Sequence, residues 1–189
     1  KGYGQAVNDT NEKMLKDIQK GIRSKFVEFL GTGTGEASGV GMQAALAQVW
    51  GKLQVLFEDT SVEAVYFMNP MDVATYLGSA QISTQTAFGM SYIENFLGIG
   101  NVILASDVPA GKIYGTASEN IVTYYIPVTS ADMAQAFALT SDATGLIGIH
   151  TGPTYDNLSA ETVAASGVGL FAENLGGIVV GTISAGTGA

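Results

Sequence analysis

The chain has 189 residues, 47% of them hydrophobic, and this length and composition suit one large folded domain or two small ones. It has no cysteine and a single histidine, His150, which excludes disulfides, cysteine nucleophiles and histidine-rich metal sites. The formal net charge is −9, and Lys112 is the only basic residue in 53–189, so the sequence argues against a protein that grips nucleic-acid phosphates.

Targeting and membrane signals are not visible. No run of about 18 apolar residues occurs, and no basic segment precedes an apolar stretch, so we expect neither a membrane span nor a signal peptide. Because the chain starts at Lys1 without a methionine, we expect it to be a piece of a longer protein. His150 lies in the apolar run 145–152, which indicates an ordinary strand residue rather than a catalytic base.

The first predicted element is a long amphipathic helix over residues 8–31. Its apolar residues recur at intervals of three and four, as one helical face requires: Leu15, Ile18, Ile22, Phe26 and Phe29. Asp9 and Glu12 have the spacing of a capping box, and Gly31 stands where a left-handed C-terminal residue is expected.

A glycine-rich segment, FLGTGTGEASGVG, follows at residues 29–41. It contains no lysine where a phosphate-binding loop needs one, it follows a helix rather than a strand, and Glu36 stands where a dinucleotide fingerprint needs its third glycine. We therefore interpret it as a flexible connection between two helices, with Gly31, Gly33, Gly35 and Gly39 as candidate hinge residues.

The second helix carries the stripe Met42, Leu46, Val49, Leu53 and Leu56. Trp50 lies beside that stripe in the sequence. We expect the stripe and the indole to be buried in the core, because an apolar stripe at helical spacing is more often core than a ligand site.

Strands predominate after residue 63. Residues 64–68 are predicted as a strand that enters a short helix, with Asn69 as its cap, Pro70 and Asp72 in its first turn and Gly78 at its end. Small polar residues at 79–91 indicate an exposed, mobile loop. Two strands are predicted around the Pro-Ala-Gly turn of 101–117, and later ones lie at these ranges: 121–128, 145–152, 162–172 and 177–184. The predicted fold class is α+β with mixed sheets and at least three helices.

These landmarks, in this order, resemble the major capsid protein of tailed bacteriophages, the Hong Kong 97-like fold that encapsulins share. The resemblance rests on the long helix ending in the glycine-rich segment, on MNPMDVATYL, on FLGIGNVILASDVPAGKIYGTASENI and on TVAASGVGLFAENLGGIVVGTIS. It covers nearly the whole chain, although no single motif is highly specific.

The resemblance implies a peripheral domain of residues 1–39 and 119–164, which contains the long spine helix, and an axial domain of residues 40–118 and 165–189. The candidate capsomer-axis loop would then include Gln81, Ser83, Thr84 and Gln85. Complete family members carry an N-terminal arm and an extended loop before the spine helix, where this chain has seven or eight residues. We therefore expect this chain alone to form a folded monomer or small ring rather than closed shells.

The leading hypothesis is a structural subunit of a phage or prophage capsid that forms pentamers and hexamers around double-stranded DNA. The resemblance implies no enzyme activity, catalytic residue, cofactor or metal. The resemblance implies that the subunit binds copies of itself, and scaffold and portal proteins are further candidate partners. It would enclose DNA without binding a specific sequence and would not contact a membrane. Its expected location is the virion capsid, which is assembled in the host cytoplasm. Two alternatives are an encapsulin-like nanocompartment shell protein and a small acidic hydrolase using paired carboxylates, such as Glu58 with Asp59 or Asp132 with Asp142.

Overall fold

A computed structural model describes residues 2–58, 63–77, 85–87 and 90–185. The chain is an α+β protein, as predicted. Its helices are α1 Tyr3–Leu30, α2 Met42–Leu56, α3 Pro70–Leu77 and α4 Ala131–Phe137. Its strands are β1 Gly35–Val40, β2 Ala64–Met68, β3 Gln85–Ala87, β4 Met90–Ile93, β5 Asn101–Leu104, β6 Lys112–Ala117, β7 Ile121–Tyr125, β8 Thr140–Ser141, β9 Gly148–Thr154, β10 Ser159–Ala165, β11 Val168–Ala172 and β12 Ile178–Ser184.

The chain forms two compact units. The first unit consists of Lys1–Lys25 and Thr123–Phe171, and the second of Phe26–Val122 and Ala172–Ala189. Helix α1 therefore contributes residues to both units. Within the described ranges, no helix is long and apolar enough to cross a membrane.

The second unit is built on a seven-stranded mixed sheet in the order β1-β12-β6-β2-β5-β4-β3. The pairs β1·β12 and β2·β5 are parallel, and the other pairs are antiparallel. Strands β5 and β6, which surround the predicted Pro-Ala-Gly turn, do not pair with each other because β2 lies between them. Strands β1 and β3 form the two edges of the sheet.

Both faces of this sheet carry a hydrophobic core. Successive residues of a strand point to opposite faces, and Ile113 and Tyr114 of β6 accordingly join different clusters. On one face, the fully buried Leu46, Val49 and Leu53 of α2 pack over the strands. On the other face, the end of α1 packs through Val27 and Leu30, together with Phe26, whose ring centroid lies 5.4 Å from that of Phe67. The sheet is thus enclosed between two helices at its centre.

The first unit contains a three-stranded antiparallel sheet in the order β10-β9-β8. Strands β7 and β11 form a separate pair. Just beyond this pair, the N–H of Ile126, which follows β7, donates a hydrogen bond to the carbonyl of Gly167, which precedes β11 (2.9 Å). A loop between β8 and β9 contacts α1, because the Gln19 side-chain amide donates to a carboxylate oxygen of Asp142 (3.3 Å).

Helix α1 differs from its prediction at both ends. It begins at Tyr3, so Asp9 lies inside the helix and is not its cap. No proline interrupts residues 3–8, and the amides of Gln5 and Ala6 bond to the Gly2 carbonyl, so the helix extends one and a half turns further. Gly31 does not have the positive φ of a left-handed cap; its N–H continues the helical pattern to the Val27 carbonyl.

The remaining helix predictions are largely confirmed. Helix α3 begins at Pro70, and Asn69 Oδ1 accepts from the Met71 N–H (2.9 Å), as a cap should. The Asp72 carboxylate does more than favour the helix start, since it also accepts from the Gly111 N–H (2.8 Å). Leu56 at the end of the stripe is 44% exposed and Trp50 is 38% exposed, so the predicted burial of these two residues is wrong. Trp50 is the next residue after Val49, so its side chain lies on the flank of the buried stripe, where the surface of the helix begins to face solvent.

Two strand predictions need correction. The segment 79–91 is not a continuous loop, because β3 and β4 pair there in antiparallel register, and β4 pairs further with β5. Residues 78–84 and 88–89, including Gly78, lie outside the described residues. The strand predicted at 162–172 is two strands, β10 and β11, separated at Ser166 and Gly167.

Candidate functional site

The glycine-rich segment is the first candidate site, and it contains a strand rather than a purely flexible connection. Strand β1 pairs in parallel with β12 over six residues, from Gly35 with Val179 to Val40 with Ser184. The pairing partner lies some 145 residues away in the sequence, so no local pattern could have indicated it. The segment does connect two helices, as predicted, but the prediction missed the strand that residues 35–40 form.

Three of the four candidate hinge glycines lie where a side chain cannot fit. A Cβ on Gly39 would collide with the backbone of Ala44 and Ala45 in α2, and one on Gly33 would collide with the Ile178 carbonyl. A Cβ on Gly35 would lie 2.7 Å from the Gly176 carbonyl oxygen, closer than real Cβ atoms approach. Since none of the three has a positive φ, close packing accounts for them without any unusual backbone conformation. Movement at these positions stays a prediction.

An open polar groove of about 710 Å³ surrounds the free edge of β1. Its polar side chains come from β1, α2, β6 and β12: Glu36, Ser38, Gln48, Lys52, Lys112 and Thr182. The Lys112 ammonium donates to the Thr182 hydroxyl (2.9 Å). An edge strand presents unpaired backbone groups, so this groove can accept polar or extended partners more readily than an apolar ligand.

The candidate capsomer-axis loop is only partly described. Gln85 is exposed at the start of β3, and its side-chain oxygen accepts from the Tyr92 hydroxyl (2.8 Å). Gln81, Ser83 and Thr84 lie outside the described residues. The role of all four residues at a capsomer axis stays a prediction.

Large apolar side chains are exposed in both units. Those of the first unit, which the sequence analysis did not single out, are Tyr124, Tyr125, Ile126, Phe137, Tyr155, Leu158, Val163 and Phe171. Single exposed apolar residues are normal, but a series of aromatic and aliphatic side chains on one small unit is typical of a surface that another protein covers. Sequence patterning could not find them, because apolar residues are ordinarily assigned to the core.

Buried polar groups of the second unit join the segment around Asn120, which follows β6, to the segment around Asn174, which follows β11. Asn120 is almost completely buried; its side-chain amide donates to the Thr116 hydroxyl (3.1 Å) and to the Asn174 carbonyl (2.9 Å). Its side-chain oxygen accepts from the Asn174 N–H (2.9 Å). Burial raises the pKa of the Tyr66 and Tyr114 hydroxyls, which keeps them neutral. The hydrogen bonds of Asn120 therefore join the chain at Thr116 to the chain at Asn174.

Among residues 2–58, 63–77, 85–87 and 90–185, no group of three histidine, aspartate or glutamate side chains is placed to hold a metal ion. His150 lies in β9, as predicted, with its Nδ1 3.2 Å from the Ala138 carbonyl oxygen. The Asp142 carboxylate has a lowered pKa: burial acts to raise it, but hydrogen bonds from Thr144, Ile147 and Gln19 outweigh that effect.

No protein-family model matches the sequence, and no curated protein matches it. Solved structures do. The chain is similar to the virus-like particle protein of Pyrococcus furiosus, with 15% identity, TM-score 0.51, and coverage of 85% of this chain and 62% of that one. It is also similar to the SrpI encapsulin of Synechococcus elongatus, with 14% identity, TM-score 0.59, and coverage of 92% and 64%.

A third likeness, to the satellite phage P4 procapsid, has 12% identity and a TM-score of 0.39 over 77% of this chain and 37% of that one, and nothing is based on it. The first two likenesses show that the chain has the fold of capsid-type shell proteins. At these identities they show the fold alone. The chain spans a little under two thirds of the length of both proteins.

Proposed function

We propose that the protein is a structural subunit of a closed protein shell. The observation that carries the proposal is the similarity of 92% of the chain to an encapsulin, at a TM-score of 0.59. The exposed apolar side chains of the first unit support it, because a shell subunit needs extensive surfaces that only its neighbours cover.

The specific form proposed is the major capsid protein of a tailed phage or prophage, with the Hong Kong 97-like arrangement. In that arrangement residues 1–39 and 119–164 form the peripheral domain and residues 40–118 and 165–189 form the axial domain, with Gln85 near the capsomer axis and the segment 31–39 as a hinge. The subunits form pentamers and hexamers that enclose double-stranded DNA in the host cytoplasm, with scaffold and portal proteins as further partners. An acidic body, with net charge −9, leaves enclosed DNA mobile because it repels phosphates.

An encapsulin-like shell is the second candidate, and the similarity to SrpI encapsulin supports it as well. The two candidates differ in content rather than in fold: a phage capsid encloses DNA, whereas a nanocompartment encloses protein. Fold similarity alone supports both equally.

Electron microscopy of the full-length protein, expressed and purified, tests the proposal. We expect closed particles with five-fold vertices. Particles that contain nuclease-protected DNA when made with the rest of the natural gene set support the phage capsid, and particles that contain a co-purifying protein support the nanocompartment. A full-length protein that stays monomeric at all concentrations would overturn the shell function.

A further inference from the structure

The hairpin of β9 and β10 ends in a four-residue turn, 155–158, that presents two large apolar side chains to solvent. Tyr155 is 80% exposed and Leu158 is 86% exposed. Leu158 also has a φ of +53°, a left-handed conformation that leucine rarely adopts. A left-handed residue is common where a short hairpin turn rejoins its strand, so this conformation serves the turn, whereas two apolar side chains exposed at its tip point to a contact with another molecule.

The turn is held firmly in this conformation. Strands β9 and β10 pair over seven residues, from Ser159 with Thr154 to Ala165 with Gly148. The Asn157 side-chain oxygen accepts hydrogen bonds from both the N–H and the hydroxyl of Ser159. The hairpin therefore presents its two apolar side chains on a rigid support, so that little conformational entropy is lost on contact.

An apolar groove of about 310 Å³ lies elsewhere in the same unit, between α1 and the start of β11. Its apolar walls are Ile18, Ile22, Val168 and Leu170. Gly21 leaves the groove open, because a Cβ at this position would meet no atom within 4 Å. Lys25 supplies a positive charge at the groove. The groove has the volume of a small binding pocket, enough for one or two side chains.

We infer that the turn 155–158 of one copy inserts into the groove beside Gly21 of a neighbouring copy. The apolar side chains of the turn match the apolar walls, and Asp156 in the turn is opposite in charge to Lys25. Turn and groove are different patches of one surface, so the contact is heterologous and repeats from copy to copy, as a ring or shell requires. The inference rests on the proposed shell function and names a contact that holds the shell together.

Two variants remove the contact without harming the fold. In Leu158→Asn the new residue tolerates the left-handed conformation better than leucine, and in Gly21→Leu the new side chain fills the groove while favouring the helix. Gly4→Leu is the matched control, since Gly4 is an exposed glycine of the same helix with no atom within 4 Å of a Cβ. We expect Leu158→Asn and Gly21→Leu to keep the melting temperature but to raise the protein concentration needed for particles at least tenfold, with Gly4→Leu like the wild type. Unchanged assembly of Leu158→Asn would show that something other than the turn occupies the groove and would overturn the inference.

Cross-linking tests the contact directly, because these 189 residues contain no cysteine that would compete with the two introduced ones. Full-length Leu158→Cys and Gly21→Cys proteins with tags of different size are mixed and oxidised, and a mixture of Leu158→Cys with Gly4→Cys serves as control. We expect several-fold more mixed disulfide dimers with Gly21→Cys than with Gly4→Cys; equal yields overturn the inference. If shells form but the cross-link does not, the proposed shell function is kept and the proposed contact is rejected. If the cross-link forms but shells do not, the contact is kept and the shell function is rejected.

Discussion

Position 39 requires glycine because the backbone of α2 lies too close for any side chain. The α-carbon of Gly39 faces the backbone of Ala44 and Ala45, and any Cβ would force β1 and α2 apart. Gly51, inside α2, has no atom within 4 Å of the corresponding position. One fold therefore contains a glycine that packing requires and a glycine that packing does not.

The first prediction uses this contrast. Gly39→Ala should lower the free energy of unfolding by about 1–3 kcal/mol or more, because the clash is with backbone that cannot rotate away. Gly51→Ala should raise it by about 0.5–1 kcal/mol, since alanine loses less conformational entropy in a helix. Urea denaturation of both variants measures the difference. Equal changes of the same sign would contradict the packing explanation.

At this scale the sequence was informative about chemistry and less so about location. The absence of cysteine, the single histidine and the cap at Asn69 could be read directly from the chain. The reason for glycine at positions 33 and 39 could not be read from the sequence, because a glycine that is needed for close packing looks the same in sequence as a glycine in a flexible turn. The exposure of Leu158 was equally hidden, because a left-handed leucine leaves no trace in the sequence pattern.

At the scale of elements, α2 shows how far periodicity extends. Leu46, Val49 and Leu53 are buried as their spacing predicts. Trp50 is not, because its position on the flank of the stripe leaves part of the indole outside the contact with the sheet. Periodicity predicts the buried face of a helix well and the edges of that face poorly.

The second prediction follows from that face. Leu53→Ala should lower the free energy of unfolding by about 2–5 kcal/mol, because Leu53 is completely buried between α2 and the sheet. Val55→Ala, in the same helix and 75% exposed, is the control and should change stability by less than about 0.5 kcal/mol. Thermal and urea denaturation compare the two. Similar losses in both variants would show that α2 does not pack through this face.

The third prediction concerns the loop between β8 and β9. The Asp142 carboxylate accepts from the Thr144 hydroxyl (2.7 and 2.8 Å), from the Ile147 N–H (3.2 Å) and from Gln19 of α1, and its pKa is lower in the folded chain than in the unfolded one. A lowered folded pKa stabilises the fold above the unfolded value of about 4 and loses that effect as the pH falls through the folded pKa. The free energy of unfolding of the wild type should therefore fall more steeply below about pH 4 than that of Asp142→Asn.

Denaturation of both proteins at several pH values between about 5 and 2 measures this difference. Asp132→Asn, on α4 and in the same unit, controls for the loss of a charge. Parallel curves for the wild type and Asp142→Asn would mean that the hydrogen bonds of this loop do not depend on the charge of the carboxylate.

The elements that local patterns missed share one physical cause. Strand β1 exists because β12 pairs with it, and β3 and β4 exist because they extend the sheet from β5. Small and polar residues have low intrinsic strand propensity, so tertiary pairing decided their conformation. Helices α1, α2 and α3, whose hydrogen bonds are local, were placed correctly apart from their ends, whereas α4 was not predicted.

At the scale of the whole molecule, charge opposes the association that the apolar surface favours. Every copy carries a net charge of −9, so copies that approach one another repel. The exposed apolar side chains of the first unit act in the opposite sense, since burying them releases water regardless of charge. Assembly of a shell from this chain is therefore a balance between a long-range repulsion and short-range contacts.

The fourth prediction uses salt to separate the repulsion between charged copies from the attraction between their apolar surfaces. Raising the ionic strength from about 0.01 M to about 0.1 M shortens the Debye length from about 30 Å to about 10 Å and screens the repulsion, while it leaves apolar contacts intact. The concentration of full-length protein at which particles appear should consequently fall as sodium chloride is added, as static light scattering can follow. Lowering the pH toward about 4.3, the isoelectric point of these 189 residues, should act in the same direction at low salt, because it removes their net charge. A threshold concentration that rises with salt would mean that attraction between opposite charges, rather than apolar contact, holds the copies together.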